Sequence, residues 1–186
     1  AWERRLAARG GTPLVDPALF RVRTFAAGNG VALAFFAGNA GLFFVLTLHL
    51  QHGTGLSPLA AGLTFAPLAA TFALASLLAP RLQRRLGRHV LTLGYAVNAA
   101  GTAGLLVTAW LSGPAATGPL LVPALAVIGF GEGLGVSPLI GTALAGVPAR
   151  DAGAAGGFLE TTVQLGMSLG VTVVGLVFAA ALGGGE

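Results

Sequence analysis

A chain of 186 residues that is 55% hydrophobic and only 9% charged has far fewer charges than the roughly 25% of soluble domains, so an ordinary water-soluble fold is excluded and an all-α integral membrane protein is expected. No cysteine is present, which removes disulfide frameworks and thiolate metal sites. The formal charge of +4 and a sequence pI near 11.4 would fit a nucleic-acid partner, but the placement of the basic residues along the chain argues for none.

Residues 1–24 form a polar lead-in with Arg4, Arg5, Arg9, Arg21 and Arg23 against Glu3 and Asp16. Within it, the stretch around Leu19 and Phe20 reads either as a segment dipping into the membrane surface or as a solvated linker. Five apolar runs follow, at about residues 25–50, 59–78, 90–111, 120–147 and 154–182. Each is long enough to span a hydrocarbon core of about 30 Å at 1.5 Å per residue. Pro67 lies inside the second run and Trp110 closes the third, where an interfacial aromatic belongs. Residues 183–186 remain as a short outer tail.

The loops alternate in charge. All ten basic residues are arginine, and each lies in the lead-in, in the stretch 79–89 (Arg81, Arg84, Arg85, Arg88), or at Arg150. The loops after the first and third runs hold none. Positive residues mark the cytoplasmic side, so the N-terminus is expected inside and the C-terminus outside. The arginines are thereby explained as topogenic groups in contact with the lipid bilayer. The bias toward Arg, Ala and Gly points to a GC-rich bacterial genome, and hence to a multi-pass protein of the bacterial inner membrane.

The fourth run holds the residue on which function is expected to turn. Glu132 falls near the bilayer midplane, where a carboxylate costs roughly 2.5–3.5 kcal/mol and is tolerated facing a protein-lined interior. It reads as a proton or substrate site, or as an interhelical packing group. Glu160 and, one turn on, Gln164 form a second polar pair. They are either a proton site or attractor for cationic compounds, or a structural pair reaching water or Arg150. Asn39 and Asn98 are uncharged polar groups within spans, lining a cavity or bonding between helices. Small residues four apart, Gly129 with Gly133, Gly131 with Gly135 and Gly166 with Gly170, are candidates for close helix packing. His49 and His52 lack a third ligand, so no metal site is expected. Gly129-Phe130-Gly131-Glu132-Gly133 is a poor dinucleotide fingerprint, because Leu134 replaces the third glycine and no strand precedes it. No catalytic motif or cofactor site is found, and the chain is not expected to be an enzyme.

Four stretches, in order, resemble the major facilitator superfamily and within it the fourteen-helix drug:proton antiporter branch of the EmrB/QacA type. They are DPALFRVRTF from Asp16, LQHGTGLSPLAAGL from Leu50, RLQRRLGRH from Arg81, and Val147-Pro148 through Gly156-Gly157 with TTVQLG from Thr161. The third is similar to the superfamily's inner-loop motif through Arg81, Arg84, Arg85, Gly87 and Arg88, but Arg84 stands where the full motif has an acid. The resemblance implies that these are helices nine to thirteen of a C-terminal bundle, with the N-terminal helices and the last helix missing. It also implies proton-coupled export of drug-like amphipathic compounds by alternating access, which the fragment alone would not perform. A non-transporting membrane scaffold is the alternative.

Overall fold

In a computed structural model of the chain, residues 17–87, 89–113 and 116–183 are described, and among them all regular structure is helical. A short 3-10 turn, Pro17–Arg21, leads into α1, Arg23–Leu48, which ends in a π-turn, His49–Gly53. Then come α2, Pro58–Thr64, α3, Ala66–Leu86, α4, His89–Ser112, α5, Gly118–Leu144, and α6, Ala152–Gly183. Five membrane spans result, with α2 and α3 sharing one. The shortest, α4 with 24 residues, rises about 36 Å, enough to cross a bilayer.

Local chemistry sets the element ends. Ser57 caps α2 by accepting from the Ala60 amide at 3.3 Å, with Pro58 in the first turn. This is the pairing expected at a helix start, and it gives the Ser-Pro turn its physical basis. Pro67 has no N–H to return to the preceding turn, and the helix breaks at Phe65, whose amide bonds back to Gly62 and Leu63. Residues 79–86, read from the sequence as part of a loop, continue α3 instead. Arg and Leu are strong helix formers, and the helix stops only at Gly87, whose φ of +56° suits glycine. Arg88, the lead-in up to Asp16 and the tail beyond Gly183 lie outside the described residues.

The chain divides into two units, Ala1–Val45 with Ile140–Glu186, and Leu46–Leu139. In the first, α1 and α6 run parallel. The Asn29 and Thr162 side chains bond across 133 positions, and the same offset recurs as Gly166 meets Leu33, Gly170 meets Ala37 and Gly41 meets Val174. A Cβ on Gly166 would sit 2.8 Å from the Leu33 carbonyl oxygen, and one on Gly170 would collide with that of Ala37. Below this seam, Leu19, Phe25 and Ala155 form a buried cluster with Val22, Leu144, Val147 and Phe158. Leu19 is therefore not dipped into lipid: it is 3% exposed. Phe20, though more exposed, stacks edge-on against Phe158 at 5.0 Å and Phe25 at 5.5 Å.

In the second unit the middle of α5 packs parallel to α3 and antiparallel to α4. Gly129 meets the carbonyl oxygen of Leu68 and Gly133 that of Phe72, while Gly131 meets the Asn98 amide nitrogen and a Cβ on Gly94 would lie 2.8 Å from the Gly135 nitrogen. Ala75, Ala79 and Leu134 make the buried cluster between α3 and α5, joined by Leu82 and Phe130. Half of the α5 apolar window is buried, against 11–22% in the other spans, which makes it the most enclosed helix of the chain.

Candidate functional site

Glycine alternation on α5 creates the site. Gly129 and Gly133 sit one turn apart and meet α3; Gly131 and Gly135, offset by two residues, meet α4. Glu132 lies between these two faces. It shares its helical stripe with Leu121, Leu125, Ile128 and Leu139, none more than 2% exposed, and is itself 6% exposed. A carboxyl group thus occupies a position at which the rest of the stripe is leucine or isoleucine.

The glycines bring backbone and polar groups of α4 close. Gly94 and Asn98 back onto Gly131, and the Tyr95 ring lies 3.5 Å from where a Gly135 Cβ would be. On the α3 side, Ser76 Oγ makes a long 3.5 Å hydrogen bond to the Gly133 carbonyl. Tyr95 and Asn98 of α4 and Ser76 of α3 thus lie against the glycine faces that flank Glu132 on α5.

The remaining sequence candidates lie elsewhere. Glu160 and Gln164 are exposed on α6 and bond to each other, Nε2 to Oε1, at 2.9 Å. Glu160 does not pair with Arg150, whose Nε instead lies 3.4 Å from Asp151 Oδ2. Ser168 and Thr172 extend the same face, each donating its hydroxyl to the carbonyl one turn back. Asn39 keeps a buried Oδ1 without a hydrogen bond. His49 Nε2 lies 3.0 Å from the Ala116 carbonyl oxygen. No group of three or more metal-ligating side chains occurs among the described residues.

One polar site escaped the sequence reading. Asn29, 6% exposed, donates through Nδ2 to the Phe25 carbonyl at 2.9 Å, and its Oδ1 accepts from Thr162 Oγ1 at 2.8 Å. The only signal was an asparagine one turn into a span; its partner lay too far along the chain to be guessed.

The sequence profile of the Major Facilitator Superfamily matches residues 2–171. The chain belongs to the Major Facilitator Superfamily. It is 39% identical over 184 residues to the "Probable actinorhodin transporter" of Streptomyces coelicolor, covering 98% of this chain and 32% of that protein. It is 36% identical over 177 residues to the "Cephamycin export protein CmcT" of Amycolatopsis lactamdurans (92% and 35% covered). Identity to the "Multidrug efflux pump LfrA" of Mycolicibacterium smegmatis is 31% over 173 residues (92% and 34%). The chain spans about a third of the length of these curated relatives. No solved structure gives a significant match. A superfamily chain with bacterial relatives and five spanning helices is a multi-pass protein of the bacterial membrane, in a class of transporters rather than enzymes.

Proposed function

We propose that this chain is part of a proton-coupled exporter of antibiotic-like, amphipathic compounds, with Glu132 as the coupling group. The observation that carries the reading is the enclosure of Glu132 among glycine-thinned helices in the most buried span of the chain. The relatives named for actinorhodin transport, cephamycin export and multidrug efflux support the substrate class. Glu132 holds a proton while its surroundings are dry and releases it when the alternating cavity admits water. One charge moved through 100 mV is worth roughly 2.3 kcal/mol, which sustains about a fifty-fold substrate gradient.

The arginine-bearing ends face the cytoplasm in this reading, on the strength of their distribution alone. Glu160 and Gln164 offer a second polar surface toward cationic substrates, and Asn39 a lone acceptor within α1. Further helices, beyond the third of the relatives' length represented here, complete the cavity, so the 186 residues alone are expected not to transport.

The test is drug accumulation in cells expressing the complete gene product, with and without an uncoupler. Glu132→Gln should abolish uncoupler-sensitive efflux while membrane insertion stays intact. Normal efflux by that variant would reduce Glu132 to a packing group.

A further inference from the structure

We propose that the cytoplasm-proximal end of α3 is a docking site for an anionic phospholipid, whose phosphate is held by Arg81, Arg84 and Arg85. The buried side of α3 is fixed by Ala75, Ala79 and Leu82, which pack with Leu134 and Phe130 of α5. Arg84 and Arg85 stand three and four residues after Arg81, away from that buried side, and all three are exposed. The same side carries Leu74 and Leu77, exposed by 53% and 74%. Leu77 precedes Arg81 by one turn, so this stripe passes from bare leucine to guanidinium within about 6 Å of rise.

That profile matches a bilayer in cross-section: acyl chains lie against Leu74 and Leu77, and the headgroup meets the arginines. An acidic protein partner would use the arginines but have no need of the leucines below them. None of the three arginines pairs with a described carboxylate, whereas Arg150 has Asp151. Among the described residues the site therefore presents three guanidinium groups without a carboxylate partner, each a planar fork suited to phosphate oxygens. A zwitterionic lipid brings its own cation to this place; an anionic one does not. The inference is independent of which residue couples protons.

The complete gene product, purified in detergent, is heated with added phosphatidylglycerol, phosphatidylcholine or soluble glycerol phosphate. Phosphatidylglycerol should raise the melting temperature by several degrees more than phosphatidylcholine, with the difference shrinking at high salt, and glycerol phosphate should have no effect. R81Q/R84Q/R85Q should reduce the phosphatidylglycerol effect to that of phosphatidylcholine, while Arg150→Gln keeps it. If the triple variant does not fold, Arg81→Gln and Arg85→Gln singly should each shift the lipid titration several-fold. Equal response to the two lipids, or a triple variant that keeps the preference, overturns the proposal and leaves the face to another protein segment. A shift caused by glycerol phosphate alone overturns it in favour of a free phosphate site.

Discussion

In one unit, α1 and α6 approach through Gly166 and Gly170, and the polar contact at that seam is the Asn29–Thr162 pair. In the other, α5 uses Gly129, Gly131, Gly133 and Gly135 against two neighbours, and the polar group between the contacts is the carboxyl of Glu132. The packing problem is the same in both, because lipid offers no hydrophobic drive for helices to associate and small residues supply contact area instead. The polar chemistry differs. An amide bonded to a hydroxyl is neutral at every physiological pH and can only hold; a carboxyl group can change charge where water access changes.

The largest effect on stability is expected where a side chain would meet backbone rather than another side chain. A Cβ on Gly133 collides with the Phe72 carbonyl oxygen and lies 2.8 Å from the Ala75 Cβ. Gly133→Ala should therefore cost about 1–3 kcal/mol, the usual range for overpacking, read as a loss of monodisperse protein after heating in detergent. Gly30→Ala, with nothing within 4 Å, is the matched control. Equal survival of the two variants would show that α5 does not need its close approach.

A middle-sized effect separates the neutral seam from the acidic one. Thr162→Val leaves Asn29 Oδ1 without its 2.8 Å donor and should cost about 1 kcal/mol. In a double-mutant cycle with Asn29→Leu, the coupling should be about 0.6–1.7 kcal/mol and constant from about pH 5 to pH 8, since neither group titrates there. A coupling that varied with pH would mean that the pair senses an ionisable neighbour. The smallest effect is expected at the exposed Glu160–Gln164 contact. Gln164→Leu removes one i,i+4 hydrogen bond, worth about 0.2–0.5 kcal/mol, so thermal stability should scarcely move even if substrate export does.

What could be read in advance follows from how far each signal travels along the chain. The five spans and the central acid are local facts: a run of apolar residues and one carboxylate within it. The Ser57–Pro58 turn was visible as a motif, and its cap supplied the reason. The continuation of α3 through Arg84 and Arg85 was not legible, because a polar helix end and a polar loop have similar composition until Gly87 is seen at positive φ. Leu19 read as either membrane-dipping or part of a solvated linker because its covering partners, Phe25 and Ala155, come from two different helices. The Asn29–Thr162 bond spans 133 positions, and no periodicity within one helix announces it. Glu132 stands out in the sequence because it breaks a pattern; the glycine faces on either side of it acquire meaning only with α3 and α4 in place.

Between residues 129 and 135, α5 meets α4 through bare main chain at Gly131 and Gly135, whereas toward α3 the glycines alternate with Phe130 and Leu134, which pack with Ala75, Ala79 and Leu82. Interlocked leucines act as teeth, and one helix must lift clear of the other before it can advance. A helix with smooth flanks has fewer such teeth and can glide or swivel against its neighbours at lower steric cost. The span that holds the acid group is thus keyed by side chains to α3 on one flank and left smooth toward α4 on the other.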